Sequence, residues 1–362
     1  MKTSLKTSKI GKTDLEVTQI GMGGAPLGRS NISTSFETLE TAFKKGITYF
    51  DTAPHYGAGE SEKFYGNFLS TIDRSSFTLS SKVGRLILSK EEASKYEYNG
   101  PLTPTIKNNI KASKYPNNVV FNFSKDGILR SIEESLERLK LDYIDILLIH
   151  DPDDYYEQAL NETYPVLADL KSQGIIKAIG AGMNEWEMLA KFANEADFDC
   201  FLVAGRYTLL DHSALHTLMP ICAEKDISLI MGGPYNSGIL ASDLTSETTY
   251  FYEQSPKEIV DRAKSIKMIC DQFNVPMKAA ALQFGLNHPV VATTVPGPTS
   301  PEEVAENIEM ANFEIPSNLW EDLERLKVVG LFSMFSRIIT CISELPFSYS
   351  LKSYFTQKHF KI

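Results

Sequence analysis

The sequence is poor in cysteine and in long apolar runs. Among its 362 residues are only four cysteines, Cys200, Cys222, Cys270 and Cys341, and no two have the CxxC spacing of a metal or redox site. Reduced thiols in an intracellular, cytoplasmic protein are therefore expected. No run reaches the roughly 18 apolar residues of a transmembrane helix, and residues 1–17 contain no apolar stretch, which predicts no signal peptide.

Basic charge is in the minority as well. Lys and Arg total 36 against 46 Asp and Glu, so the formal net charge is -10. Nucleic acids and anionic membranes are bound by clustered cations, so this balance argues against both partners and favours a small molecule. No His, Cys or carboxylate cluster has metal-ligand spacing, and no GxSxG nucleophile motif occurs, so we expect neither a metal site nor that nucleophile.

Short apolar runs, each followed by an amphipathic stretch, occur eight times. The last such stretch, SPEEVAENI, begins with Ser300 as an expected helix N-cap and Pro301 just inside the helix. Apolar runs that alternate with helices indicate a parallel sheet covered by helices, and eight units predict a closed (β/α)8 TIM barrel. The predicted strands are residues 17–24, 47–53, 77–83, 145–152, 176–183, 199–206, 227–233 and 290–297.

An open doubly wound sheet is the main alternative to the barrel. It predicts a Gly-rich turn after the first strand, and GMGGAPLG at residues 21–28 superficially resembles one. However, Pro26 stands where the third glycine belongs, and no acidic residue closes a compact βαβ unit about 20 residues later. We interpret these glycines, Gly24 among them, as a tight loop at the barrel mouth.

Two stretches depart from the regular alternation. Residues 84–123 form a long polar insert after the third strand, and a long loop in this position is more often functional than idle. From residue 331 the composition changes abruptly to Phe, Ser and Ile. We therefore predict a barrel over residues 1–330 and a C-terminal tail over residues 331–362. The tail either docks on the barrel, mediates association such as a homo-oligomer, or is loosely attached.

Four polar residues stand at the ends of consecutive predicted strands. Asp51 ends the second apolar run, Lys82 the third and His150 the fourth, while Tyr56 follows the second run in the loop APHYG. Each alone has an ordinary explanation, such as a turn cap for Asp51 or loop packing for Tyr56. Because side chains at the carboxyl ends of barrel strands converge on one mouth, we expect all four in one pocket.

These residue types suit acid–base chemistry. A tyrosine with its usual pKa of about 10 is a poor proton shuttle at neutral pH, but an ammonium within a few ångströms favours the phenolate and lowers that pKa. Lys82 can supply the ammonium, Asp51 can orient it, and a neutral His150 can hydrogen-bond the reacting oxygen. The expected reaction is proton transfer coupled to hydride transfer at a carbonyl or alcohol carbon.

The motifs YFDTAPHYG, LSSKVGR, DYIDILLIHDPD and VPGPTSPEEVAEN together resemble the aldo-keto reductase superfamily over roughly residues 8–328. The resemblance implies a TIM barrel whose floor is plugged by a small hairpin, here KIGKTDLEV. It also implies a catalytic tetrad of Asp51, Tyr56, Lys82 and His150, with Tyr56 as the general acid or base.

Three further motifs, IGAGMNEWEML, LVAGRYTLLD and GGPYNSGIL, narrow the resemblance to NAD-dependent aldose 1-dehydrogenases of the D-threo-aldose, L-fucose or D-arabinose type. Pyridoxal 4-dehydrogenases share these motifs. The resemblance implies that Asn184 binds the nicotinamide carboxamide and that the eighth strand and the following helix hold the pyrophosphate and adenosine. The implied cofactor-binding residues are Gly24, Asp51, Asn184, Tyr207, Gly232, Gly233, Gly297, Thr299, Ser300, Glu303, Glu306 and Asn307.

The chain departs from the family pattern around the cofactor. Many members stack an aromatic ring on the nicotinamide after the seventh strand, where this chain has Gly232 and Gly233, so Tyr207 and Tyr235 are the candidate substitutes. The usual glutamine after the sixth strand is replaced by small residues near Gly205.

A further departure concerns the choice of cofactor. NADP-using relatives place an arginine where this chain has Glu303, and a carboxylate there repels the 2′-phosphate by about 1–4 kcal/mol. The sequence therefore favours NAD over NADP, and oxidation as the working direction.

The predicted function is NAD-dependent oxidation of an aldose at C1 to a lactone, with Tyr56 as base. Three alternatives stay open: oxidation of pyridoxal to pyridoxolactone, NADPH-dependent carbonyl reduction, and a cofactor-binding module that regulates a partner. The insert residues Tyr96, Tyr98 and Tyr115 fit stacking on either a sugar or a pyridine ring.

Overall fold

An eight-stranded parallel sheet forms the centre of the structure, as the alternation of apolar runs predicted. In this computed structural model the sheet closes on itself: the amide of Gly21 donates to the carbonyl of Thr294, and the amide of Thr294 donates to the carbonyl of Gln19, each at 2.9 Å. Closure removes the free sheet edges and defines a (β/α)8 TIM barrel. The barrel strands, each parallel to the next, are β3 (Met22–Gly23), β4 (Tyr49–Asp51), β5 (Thr78–Val83), β8 (Ile146–His150), β9 (Ala178–Met183), β10 (Cys200–Ala204), β11 (Ser228–Gly232) and β14 (Val291–Val295).

In the part of the chain that the structure describes, three antiparallel hairpins lie outside the barrel sheet. They are β1 (Thr7–Lys9) with β2 (Glu16–Thr18), β6 (Arg85–Leu88) with β7 (Asn118–Phe121), and β12 (Thr249–Tyr250) with β13 (Glu253–Gln254). The second hairpin forms the base of the predicted insert. The first plugs the barrel floor as the resemblance implied, because Ile10 and Val17 are fully buried among inward-facing side chains of the barrel strands. The carboxyl ends of the strands therefore form the opposite end, where active sites of this fold lie.

Helices cover the outer surface of the sheet. Ser300 caps the helix that follows β14 by accepting a hydrogen bond from the amide of Glu303, and Pro301 occupies its first turn, as predicted. The helices are α1 (Ile32–Lys44), α2 (Glu60–Leu69), α3 (Lys90–Ala93), α4 (Lys125–Leu139), α5 (Tyr156–Gln158), α6 (Tyr164–Ser172), α7 (Trp186–Glu195), α8 (Leu218–Glu224), α9 (Lys257–Gln272), α10 (Met277–Phe284), α11 (Pro301–Ala311) and α12 (Ser317–Arg325).

The structure describes residues 5–29, 31–93, 118–244 and 247–325. The chain divides into two units, the first ending at Glu314 and the second beginning at Ile315. The predicted tail, residues 331–362, lies outside the described residues, as do Tyr96, Tyr98 and Tyr115 of the insert. Within the described ranges, no helix is both long and apolar enough to cross a membrane.

Candidate active site

The three polar strand-end residues lie at one level of the barrel interior. Successive side chains of a strand point to opposite faces, so every second residue of each of these strands points into the barrel. The next inward positions on two of these strands belong to the hydrophobic core: Tyr49 lies below Asp51, and Leu148 lies below His150. Asp51, Lys82 and His150 are 2%, 1% and 6% exposed. The barrel therefore brings three polar side chains together above an apolar interior, as the sequence predicted.

Lys82 makes the central contacts of this group. Its Nζ donates to Oδ1 and Oδ2 of Asp51 at 3.0 and 2.8 Å and to the carbonyl of Thr52 at 2.9 Å. The ring of Tyr56 lies against the same ammonium, with its centroid 4.6 Å from Nζ. On β9, two strands away in the barrel, a Cβ added to Gly182 would lie 3.4 Å from Cε of Lys82, so glycine leaves room for the lysine chain. A buried ion pair is thus held against the phenol.

Ser80 supports the ion pair from below, a role that the sequence analysis missed. Its hydroxyl donates to Oδ1 of Asp51 at 2.7 Å and lies 2.9 Å from the hydroxyl of Tyr49. Side chains alternate between the two faces of the strand FTLSSKV, so Ser80 lies on the same face as Lys82. This alternation is the sequence signal that could have identified Ser80. The Asp51 carboxylate therefore accepts hydrogen bonds from both Lys82 and Ser80, which fixes its orientation.

His150 is neutral in this setting. Its ring meets the Tyr56 ring edge to face, with centroids 5.9 Å apart and an interplanar angle of 88°. Burial, followed by the charges of Arg85 and Lys82 and by the neighbouring His55, holds the pKa of His150 well below its ordinary value. A neutral imidazole beside the phenol has one N–H to donate to an oxygen in the mouth.

Lys82 lowers the pKa of Tyr56 as expected, but it does not decide the net shift. Burial is the largest influence and raises the pKa of Tyr56 to about 12; Lys82 lowers it, and Asp51 raises it again. For Lys82 itself, burial lowers the pKa, but Asp51 and Tyr56 outweigh burial and the net shift is upward. At neutral pH the pair is therefore an ammonium beside a protonated phenol.

The two candidate stacking tyrosines, Tyr207 and Tyr235, contact different helices. Tyr207 is 4% exposed and packs its ring 4.8 Å from that of Phe284 in α10, and its contact with the cofactor stays a prediction. Tyr235 donates from its hydroxyl to Oδ1 of Asn307 at 2.7 Å, which places its ring beside α11.

A carboxylate occupies the start of α11. Glu303 accepts hydrogen bonds from the amide and the hydroxyl of Thr299, at 2.7 and 3.1 Å. The first amides of a helix carry partial positive charge, so this position favours anions and acceptors. In the same helix Glu306 pairs with Lys278, and Asn307 is 4% exposed.

The remaining predicted residues are small or lie at strand ends. Asn184 follows β9, and its carbonyl accepts a hydrogen bond from Nε of Arg206 at 2.9 Å. Gly24 donates its amide to the carbonyl of Asp51 at 2.8 Å. Gly233 adopts a φ of 59°, and a Cβ added there would meet only the Gly205 amide, at 3.8 Å. Two further glycines are closely packed. A Cβ added to Gly232 would lie 3.2 Å from Ala204, and a Cβ added to Gly297 would lie 2.6 Å from Pro26.

An Asp–Lys–Tyr–His group at the carboxyl end of a TIM barrel, here with a half-buried tyrosine, is typical of oxidoreductases that act on alcohol and carbonyl carbons. Within the described part of the chain, no group of three or more His, Cys, Asp or Glu residues is arranged to hold a metal ion.

Comparison with known proteins identifies the family. Residues 19–327 match the Aldo/keto reductase family. D-threo-aldose 1-dehydrogenase of Pseudomonas sp is 37% identical over 321 residues, and pyridoxal 4-dehydrogenase of Microbacterium luteolum is 35% identical over 332 residues; each match covers 87% of this chain and 95% of the relative. The chain therefore belongs to the aldo/keto reductase family, and is an oxidoreductase acting on CH–OH groups with a nicotinamide cofactor.

Solved structures agree on the fold. Aldo-keto reductase AKR11C1 from Bacillus halodurans, in its holo form, superimposes with a TM-score of 0.70 at 23% sequence identity, over 89% of this chain and 96% of that one. At this identity the similarity establishes the barrel architecture.

Removing Lys82 alone should be costly. Lys82→Met leaves the Asp51 carboxylate buried without its cation, and we expect the free energy of unfolding to fall by about 3–5 kcal/mol. The double variant Asp51→Asn/Lys82→Met removes both charges and should recover much of this loss. Denaturant unfolding followed by circular dichroism measures both values.

The matched control is Lys63→Met. Lys63 pairs with Glu60 at 2.7 Å on the surface, and its loss should cost less than about 1 kcal/mol. Equal costs for Lys63→Met and Lys82→Met would contradict the stabilising role of the buried pair.

Proposed function

We propose that this enzyme oxidises an aldose at C1 to the lactone, with NAD as hydride acceptor and Tyr56 as general base. The observation that carries the proposal is the contact of Tyr56 with the buried Lys82–Asp51 pair, beside a neutral His150. The 37% identity to a D-threo-aldose 1-dehydrogenase supports an aldose as substrate.

The residues at the mouth fit a nicotinamide dinucleotide. At Gly233 an added Cβ would meet only the Gly205 amide, at 3.8 Å, so this glycine leaves room for a flat ring. The side-chain amide of Asn184 suits the carboxamide of that ring. The start of α11, with Gly297 and Ser300, offers backbone amides for a pyrophosphate, and the Thr299 amide, which donates to Glu303 in this structure, would join them if that carboxylate turned to the ribose. When bound, the nicotinamide supplies the carbon that accepts the hydride.

The chain's own residues would then handle the proton. Tyr56, as phenolate, takes the proton of the anomeric hydroxyl while the C1–H bond breaks and the C1–O double bond of the lactone forms. Lys82 stabilises the phenolate, and Asp51 holds Lys82 in place. His150 donates a hydrogen bond to the reacting oxygen and fixes its distance from Tyr56.

Pyridoxal is the second candidate substrate. The observation that favours it is the 35% identity to a pyridoxal 4-dehydrogenase over 87% of the chain. In its cyclic hemiacetal form, pyridoxal presents the same kind of carbon as an aldose, so the same four residues would serve.

Parallel assays with NAD and L-fucose, D-arabinose or pyridoxal test the proposal. We expect kcat/KM for an aldose to exceed that for pyridoxal by about tenfold or more, since one methylene or one hydroxyl contact alone changes selectivity that much. Tyr56→Phe should lower kcat by about 100- to 10,000-fold while NAD binding persists. Tyr143→Phe, which removes a hydroxyl far from the mouth, is the control.

A pyridoxal rate above every aldose would establish the second candidate instead. Full activity of Tyr56→Phe would refute the assignment of the base.

The oxidation rate should increase with pH. Because the pKa of Tyr56 is raised to about 12, the phenol is protonated at neutral pH, and the phenolate fraction grows about tenfold for each pH unit below that pKa. We expect kcat/KM for the aldose to rise between about pH 7 and pH 10, with no opposing limb from His150, whose lowered pKa keeps it neutral there. A flat profile for the wild-type enzyme would contradict this protonation state.

Glu303 should determine the preference for NAD. Its carboxylate at the start of α11 suits the ribose 2′-hydroxyl and repels a 2′-phosphate. We expect kcat/KM with NAD to exceed that with NADP by about tenfold or more, and Glu303→Gln to reduce this ratio. Glu302→Gln, which removes a neighbouring exposed carboxylate from the same turn, is the control, and equal ratios in the two variants would argue against the role of Glu303.

A further inference from the structure

Asp151, directly after His150, has an unusual backbone conformation. Its φ is 44°, in the left-handed region that few non-glycine residues adopt, and its amide donates to the carbonyl of Gly182 on β9 at 3.1 Å. Such conformations persist where the surroundings impose them, and they concentrate at functional sites. Here the conformation places Oδ2 of Asp151 3.6 Å from Nε2 of His150.

Arg85 holds this carboxylate in place. Its Nη2 donates to Oδ2 of Asp151 at 2.5 Å, and its guanidinium lies 4.5 Å from the centre of the Phe121 ring on β7. The Arg85 side chain is 6% exposed and that of Asp151 is 24% exposed. Arg85 is therefore enclosed by the protein, while the Asp151 carboxylate keeps part of its surface exposed. A charged acceptor fixed in this way can recognise a hydroxyl group with a defined geometry.

We propose that Asp151 is a specificity-determining residue, whose carboxylate accepts a hydrogen bond from the hydroxyl on the carbon next to the oxidised carbon of the aldose. The inference rests on the proposed function, because it takes His150 as the residue that binds the reacting oxygen. Arg85 is then a positioning residue that acts through Asp151.

The distances support this assignment. Hydroxyl oxygens on neighbouring sugar carbons lie roughly 3 Å apart, about the length of a hydrogen bond. Oδ2 of Asp151 lies 3.6 Å from Nε2 of His150, so an oxygen bound at Nε2 brings the next hydroxyl within reach of the carboxylate. A substrate without that hydroxyl leaves a partly buried charged acceptor unpaired, which is unfavourable.

The test compares L-fucose with 2-deoxy-L-fucose as substrates of the whole enzyme with NAD. We expect the wild type to prefer L-fucose by about 10- to 100-fold in kcat/KM, the usual range for a hydrogen bond to a charged group. Asp151→Asn should lose about that factor on L-fucose and less than about threefold on the 2-deoxy sugar. A purely structural role would lower both rates equally.

Two further variants complete the design. Asp154→Asn makes the same chemical change on an exposed carboxylate three residues away and should leave both rates within about twofold. Since Asp151→Asn leaves the buried Arg85 without its partner, Arg85→Gln/Asp151→Asn removes both charges and should show the same loss of discrimination if the single variant folds poorly.

Equal losses on the two sugars, or no preference in the wild type, would overturn the assignment of Asp151 while leaving the proposed function intact. A wild-type enzyme that oxidises neither sugar nor any other aldose would overturn the proposed function, and this inference with it.

Discussion

The catalytic end of the barrel depends on the ion pair between Lys82 and Asp51. Both side chains are almost fully buried, and removing two charges from water is costly unless hydrogen bonds satisfy them. Ser80 and the carbonyl of Thr52 supply such bonds, and the closed barrel holds all four groups in register. These contacts fix the position of the Lys82 ammonium, and the phenol of Tyr56 lies against it.

Two ion pairs flank a neutral histidine at this mouth. Lys82 is matched by Asp51, and Arg85 by Asp151. Burial and the nearby charges of Arg85 and Lys82 lower the pKa of His150, so the histidine beside these pairs carries no charge of its own. Such a balanced set of fixed donors and acceptors suits a neutral, hydroxyl-rich substrate, since it offers hydrogen bonds without strongly attracting either sign of charge.

Burial, more than charge, sets the protonation of the proposed base. The ammonium of Lys82 acts on Tyr56 in the direction expected from residue types, but the enclosing barrel penalises the phenolate more. The balance between these two effects depends on how many atoms surround the hydroxyl, a property that no short motif contains. The surroundings of Tyr207 are also decided by packing, because its ring contact with Phe284 does not follow from its position after a strand.

The sequence by itself determined the barrel, its floor hairpin and the convergence of Asp51, Lys82 and His150, because the period of apolar runs and the position of a residue along a strand are local properties. The alternation of side chains along the strand could also have predicted Ser80 on the same face as Lys82. The contact of Arg85 with Asp151, the left-handed turn at Asp151 and the raised pKa of Tyr56 were decided only by the tertiary structure. Each arises from groups on different strands or hairpins, whose distances and burial exist only once the sheet has closed.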